Sequence, residues 1–323
     1  MSLGTNIRKR RYELRLSQQE LADLLGYKNR STIARIESGE NDITQKKLQK
    51  IVAALDTTVE ALLAGSSAAE GNPAIVVSPQ AAANYSPSRN RSRVTAIILA
   101  GGKSVRNRQN IPNQFIQILG KPVLIYCLEA YQAHPAVDAI YVVCLKGWEQ
   151  IVTAYAEQYR ITKLQGLIPA ASSGILSARN GLEYISQSAH AEDIVIFQES
   201  NRPLVTVETI SKLLQATQEK GSAVISQPAR DQVHFIARDG RAEYVERDDL
   251  LELQSPEAYQ IKLIREAFKK ASESGHPLNE TCCTMLLYHM GFPINFIEGG
   301  VNNIKIIRQE DIAVAASLIR GEL

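Results

Sequence analysis

The chain has no apolar run approaching the roughly 18–20 residues that a spanning helix needs, and its N-terminus lacks the apolar segment of a secretory signal. These absences argue against a membrane protein and lead to the expectation of a cytoplasmic one. Cysteine is scarce. Cys127, Cys144, Cys282 and Cys283 follow neither metal-site nor disulfide spacing. Adjacent Cys282 and Cys283 cannot easily bridge each other, so reduced thiols are expected. The five histidines, His134, His190, His234, His276 and His289, suggest no cluster and no role. No internal repeat is visible. What remains is a chain of 323 residues, too long for one core and suited to two domains, with an ordinary apolar content of 45%.

The net charge of +2 hides an asymmetry. Residues 1–65 hold 11 Lys and Arg against 8 Asp and Glu; residues 66–93 hold 3 against 1; the remainder holds 22 against 25. A basic front on a slightly acidic rear suits a head that faces nucleic acid. Residues 66–93, SSAAEGNPAIVVSPQAAANYSPSRNRSR, carry no period beyond a short AIVV and read as a flexible linker. As coil, their ends would sit about 25–30 Å apart. The expected division is therefore a head at 1–65, a linker at 66–93 and a body at 94–323.

In the head, residues 5–64 hold about five helical segments. Ser17-Gln18-Gln19-Glu20 is a capping box, and Leu21, Leu24 and Leu25 follow as one apolar face. Gly26-Tyr27-Lys28-Asn29 supplies a turn. The next helix starts at Arg30 and stops at Gly39, with Ile33 and Ile36 inward and Arg30, Ser31, Thr32 and Arg35 outward. Guanidiniums and hydroxyls near a helix N-terminus suit the major groove of double-stranded DNA. The S-Q-Q-E-L-A-D-L-L-G and S-T-I-A-R-I-E-S-G segments resemble Xre/Cro-type, lambda-repressor-like helix-turn-helix domains. That resemblance implies phosphate contacts from Gln18 and Lys46 and base contacts from Arg30, Ser31 and Arg35. The alternative for the head is a helical protein-interaction bundle.

In the body, apolar runs alternate with amphipathic stretches: VTAIILAGG at 94–102, AIYVVCL at 139–145, DIVIFQES at 193–200 and SAVISQP at 222–228. This predicts an α/β fold with a mostly parallel sheet. VHFIARDGRAEYV at 233–245 surrounds Asp239-Gly240, a pair favoured in hairpin turns, and predicts a β-arm. Leu99 to Arg106 places glycines after a buried strand, where backbone can approach an anion.

Five segments together resemble the cytidylyltransferases that make CDP-methylerythritol or CDP-ribitol from CTP and a polyol phosphate. They are LAGGxxxR with PNQF at 112–115, GKPVLIYCLEAY at 120–131, SxxNGL at 177–182, ESNRPLV at 199–205, and LQSPEAY at 253–259 with NIK at 303–305. The resemblance implies a Rossmann-like nucleotidyltransferase (GT-A-like) sheet, a protruding arm exchanged within a homodimer, and an activated isoprenoid or teichoic-acid precursor as product. It also implies Mg2+ whenever nucleotide is bound. Ala100, Gly101, Gly102 and Ser177 would bind nucleotide. Arg106 and Glu199 would be catalytic, and Asp231, Arg247 and Lys305 would hold the substrate phosphate. Magnesium would fall to Glu199 and to a late acidic position, Glu280 if two residues are inserted after it, Cys282 otherwise. The match also has departures. Asn113 stands where the family has a lysine, Ser104 where it has a glycine, Glu199 where it has an aspartate, Gly174 where it has an arginine, and Gln232 where it has a threonine. Loss of the loop lysine alone implies a rate lower by roughly 10²–10³. The expected function is a DNA-binding transcription regulator whose body dimerises and binds nucleotide or polyol phosphate. The alternatives are an active cytidylyltransferase with an attached DNA-binding domain, and a protein-binding adaptor without a ligand.

Overall fold

A computed structural model describes residues 3–38, 43, 45–64, 91–103, 111–229 and 234–322. Linker residues 66–90, and Ser104, Arg106, Asp231 and Gln232, lie outside the described residues. The head contains α1 (Leu3–Glu13), α2 (Gln18–Leu24), α3 (Ser31–Ser38), α4 (Gln45–Ala54) and α5 (Val59–Ala64). The expected capping box starts α2: the Glu20 amide donates to Ser17 Oγ at 3.2 Å, and the Ser17 amide donates to a Glu20 carboxylate oxygen at 2.6 Å. Ile7, Leu21, Ile33, Ile51, Leu55 and Leu62 fill the core. One expectation fails here. Leu24 is 60% exposed, and the inward face of α2 is Leu21 and Ala22, continued by Leu25. At about 100° per residue, Leu24 lies across from Ala22 and falls outside the buried stripe.

The body begins with β1 (Val94–Ala100), the short β2 (Gln117–Ile118) and β3 (Lys121–Pro122), and α6 (Val123–Ala133). Then come β4 (Ala139–Cys144), α7 (Glu149–Gln158), β5 (Leu164–Pro169), α8 (Gly174–Ile185), β6 (Ile194–Glu199), α9 (Val207–Lys220) and β7 (Ser222–Pro228). The arm is β8 (His234–Arg238) and β9 (Arg241–Val245). It is followed by β10 (Leu251–Gln260), α10 (Ile261–Glu273), α11 (Cys283–His289), β11 (Phe296–Glu298) and α12 (Gln309–Arg320).

The main sheet has the order β11-β7-β10-β6-β1-β4-β5. Strand β1 runs parallel to both β4 and β6, while β10 is antiparallel to β6 and β7. Strands β1, β4 and β6 are almost wholly buried, which explains their continuous apolar runs. The arm turns at Asp239 (φ 50°) and Gly240 (φ 75°), two successive positive φ values as a type I′ turn requires. Phe235 faces Tyr244 across it, both exposed, with ring centroids 5.9 Å apart. Among the described residues, no helix is long and apolar enough to cross a membrane. All four cysteines are free.

Candidate functional site

Strand β1 is the first of the sheet, and the chain builds β4 and β5 on one side of it before crossing to β6 on the other. Where strand order reverses in this way, a crevice opens at the carboxyl ends of the parallel strands. There Leu99 pairs with Glu199, and a cleft of about 610 Å³ opens above them. Gly101, Gly102, Lys103, the start of α8, Glu199, Arg202, the Thr281–Cys283 segment and Lys305 form its walls.

The floor is a glycine loop held from below. Gln114 donates through Nε2 to the carbonyls of Ala100 at 2.8 Å and Gly102 at 3.0 Å. A Cβ on Gly101 would lie 2.4 Å from Ala170 Cβ, so only glycine lets the loop lie against the turn before α8. Ala100 itself is fully buried beneath the cleft. On the facing wall, Ser173 caps α8 by accepting from the Leu176 amide at 3.3 Å. The N-terminus of this 12-residue helix supplies partial positive charge that suits a phosphate. Ser177 Oγ accepts from the Ala171 amide at 3.0 Å. A hydroxyl has a hydrogen besides its lone pairs, so this one can still donate to a ligand.

Glu199 ends β6 between two cations. One carboxylate oxygen receives Lys305 Nζ in a very short contact, and the other receives Arg202 Nε at 2.9 Å. Burial pushes this carboxyl up, but Lys305 and Arg202 together outweigh it and hold Glu199 below the usual carboxylate range. Arg202 thus helps hold the Glu199 carboxylate ionised at the end of β6. Its Nη1 also donates to the Asn303 carbonyl at 2.7 Å.

Several amides fix the segment that carries Lys305. Asn113 Nδ2 donates to the carbonyls of Ile306 at 3.1 Å and Ile307 at 3.3 Å, and Asn201 Nδ2 donates to Ile306 at 2.9 Å. Asn303 Nδ2 donates to Gln254 Oε1 and to the Ser255 carbonyl. Asn113 is therefore a positioning residue with no charge, at the place where the resemblance leads one to expect a lysine.

Glu257, on β10, lies beneath the Cys282–Cys283 wall and accepts from the amides of Cys283 and Thr284, from Thr284 Oγ1 and from Tyr259 Oη, all at 2.7–3.0 Å. Cys282 lines the cleft as a thiol, because burial and then Glu257 push its pKa up to about 12. It is no nucleophile at neutral pH. Of the other expected phosphate contacts, Arg247 is exposed at the foot of the arm, paired with Asp248 at 3.2 Å and away from the cleft walls. Arg106 and Asp231 fall outside the described residues.

Two further expectations change. Glu280 is not part of the cleft wall; its carboxylate turns to His276 and His289. Those histidines do form a cluster, which residue spacing concealed because a loop and a helix separate them.

In the head, α2 and α3 meet at the expected turn. Arg30 immediately precedes α3, which begins at Ser31 and not at Arg30 as expected. Arg30, Ser31 and Arg35 are exposed and Thr32 is half-buried. Gln18 gives one amide hydrogen to Glu37 Oε2 at 2.9 Å, and its amide carries a second. Behind this surface, Arg11 and Glu37 form a buried bidentate pair, Nε to Oε1 at 2.6 Å and Nη2 to Oε2 at 3.0 Å.

Residues 7–62 match the helix-turn-helix family model, and residues 94–321 match that of 2-C-methyl-D-erythritol 4-phosphate cytidylyltransferase. A ribitol-5-phosphate cytidylyltransferase of Lacticaseibacillus paracasei is 30% identical over 230 residues, covering 70% of this chain and 98% of the relative. A 2-C-methyl-D-erythritol 4-phosphate cytidylyltransferase of Syntrophus aciditrophicus is 30% identical over 72% of this chain and 98% of its own length. The crystal structure of 4-diphosphocytidyl-2C-methyl-D-erythritol synthase from Anaerococcus prevotii superposes with a TM-score of 0.61 at 23% identity, over 71% of this chain and 96% of that one. The Rossmann-like fold of the body is thus shared with solved structures. The chain joins a helix-turn-helix domain to a body that belongs to the 2-C-methyl-D-erythritol 4-phosphate cytidylyltransferase family.

Proposed function

We propose that this protein is a sequence-specific transcription regulator whose body binds CTP or a related nucleotide, or a polyol phosphate, and controls the head through that binding. The working division is a head at 1–65, a linker at 66–93 and a body at 94–323, and a cytoplasmic location fits these ligands. The observation that carries the reading is the charge of the cleft. Joining two phosphates requires cations for both and for the developing charge. Here Asn113 is neutral and tied to backbone, while Lys305 and Arg202 are already paired with Glu199. Among the described residues this leaves Lys103 as the cleft-wall cation without a carboxylate partner, which suits docking one phosphorylated ligand better than driving a reaction between two.

Glu199 also fits magnesium carried by a triphosphate. It is 31% exposed toward the cleft, and magnesium at such sites takes one or two protein carboxylates plus phosphate and water oxygens. When bound, the ion would neutralise phosphate charge.

A second reading, an active cytidylyltransferase with an attached DNA-binding domain, is favoured by the grouping of Glu199, Arg202 and Lys305 at the cleft. Both readings are tested by incubating the protein with CTP, Mg2+ and either ribitol 5-phosphate or 2-C-methyl-D-erythritol 4-phosphate while following pyrophosphate. Calorimetry with CTP is run alongside. The regulator reading expects CTP heat that weakens at least roughly tenfold in Lys305→Ala, with turnover absent or lower by about 10²–10³ than that of a lysine-bearing relative. Efficient turnover lost in Glu199→Ala would make the body an enzyme. An absence of CTP heat, together with no response of DNA binding to polyol phosphates, would leave an adaptor.

A homodimer fits the same reading. The arm presents Phe235, Ile236 and Tyr244 to solvent, and two recognition helices about one helical turn apart bind a two-fold operator more tightly than one. On DNA selected from a random pool, Arg30→Ala and Arg35→Ala should each weaken binding roughly five- to hundredfold in fluorescence anisotropy. Unaltered affinity in both variants would remove α3 as the reading element.

A further inference from the structure

The cluster at the far side of the cleft wall has the composition of a transition-metal site. His276 lies in the loop after α10, Glu280 follows four residues later, and His289 ends α11. Glu280 is a buried carboxylate whose side chain is 1% exposed. Both imidazoles address the same oxygen, Oε1: His276 through Nε2 in a very short contact, and His289 through Nδ1 at 3.3 Å. The two rings stand 5.3 Å apart. The second oxygen, Oε2, is buried and has no hydrogen-bond partner. An unsatisfied buried carboxylate oxygen is costly, and native structures rarely leave one without a reason.

We propose that His276, Glu280 and His289 bind a late first-row divalent ion of the zinc type. One potential ligand atom from each residue lies within 4.8 Å of the others, so small side-chain rotations bring them to the roughly 2.0–2.2 Å that zinc takes from imidazole and carboxylate. Two imidazoles with one carboxylate favour Zn2+, Co2+ or Ni2+ over Mg2+ and Ca2+, which prefer oxygen. The ion would satisfy the orphaned carboxylate. Both histidines reach solvent, with side-chain exposures of 25% and 40%, so the site has an entry path and room for a water as fourth ligand. Its effect reaches the cleft by a short route. Glu280 is followed directly by Thr281, Cys282 and Cys283, which form one cleft wall, and that wall is already anchored at Cys283 and Thr284 by Glu257. A bound ion would fix its other end. This inference does not depend on what the cleft itself binds.

The test uses full-length, tag-free protein stripped with chelator. Zinc titrated alone in a calorimeter is expected to bind with one equivalent per chain and to raise the melting temperature, while Mg2+ gives neither effect. Co2+ should produce the visible absorption of a low-symmetry nitrogen and oxygen site, without the strong near-ultraviolet band of a cobalt thiolate. His276→Ala and His289→Ala should each lower zinc affinity on the order of a hundredfold, with circular dichroism confirming the fold. Failure of the wild type to bind zinc overturns the proposal. So does unaltered affinity in both folded variants, or a thiolate band, which would move the ion to the cysteines. If the variants misfold, the cobalt spectrum of the wild type alone decides.

Discussion

Arg11→Ala is expected to destabilise the helical head by about 3–5 kcal/mol, the usual consequence of leaving one half of a buried ion pair unpaired. The guanidinium makes two hydrogen bonds to Glu37, a third to the Leu16 carbonyl at 2.7 Å, and packs over the Tyr12 ring. Both side chains of the pair are 3% exposed. The alanine variant would strand the Glu37 carboxylate in the core with only Gln18 to contact it. A head of about 60 residues has a total stability on the order of 3–9 kcal/mol, so the loss should unfold much of it. Far-ultraviolet circular dichroism should show an early transition for the head, and DNA binding should vanish with it. Replacing Arg11 and Glu37 together by methionine should recover most of the stability, because an apolar pair removes the buried charge along with its partner. A single alanine variant that melts like the wild type would show that the pair contributes nothing.

The second large effect belongs to Glu257. Glu257→Ala should cost about 3–5 kcal/mol in the body: it opens a cavity, strands the amides of Cys283 and Thr284, and leaves the Thr284 and Tyr259 hydroxyls, 2.8 Å apart, with one hydrogen between them to share and the other unpaired. Glu257→Gln separates charge from geometry. An amide has one oxygen where the carboxylate has two, and its NH2 would point at donors. Its cost should fall between the wild type and alanine, about 1–3 kcal/mol. Because the stranded groups support the Cys282–Cys283 wall, ligand affinity in the cleft should fall in step with stability. Denaturant titration and CTP calorimetry on the same preparations check this; an alanine variant of undiminished midpoint would show that the four hydrogen bonds are dispensable.

Much of the architecture could be read from residue order because it depends on local patterns. Strands β1, β4, β6 and β7 are short apolar runs, since both their faces are covered. The arm showed itself through Asp239-Gly240, where two positive φ values follow each other. Strand β10 was harder: LELQSPEAYQ is half polar, and its register shifts between Gln254 and Glu257, so no clean alternation survives. Strand β11 is three residues long. In the site, Glu199 and Lys305 were recognisable through the segments that contain them, but their pairing was not, since 106 positions separate them. The work of Asn113 was equally hidden, because its carbonyl partners lie 193 and 194 positions away. The histidine pair is hidden in residue order because a loop and a helix lie between His276 and His289, and only the fold brings both to Glu280.

That long reach has a consequence for how the molecule comes into being. The last helix of the head ends at Ala64, whereas the lysine facing Glu199, and the carbonyls that Asn113 and Asn201 grip, sit at positions 305–307. At about 5–20 residues per second, a ribosome finishes the head roughly 12–50 seconds before it delivers the residues that complete the cleft. A nascent or prematurely terminated chain would thus present a whole helix-turn-helix head before the cleft of the body exists.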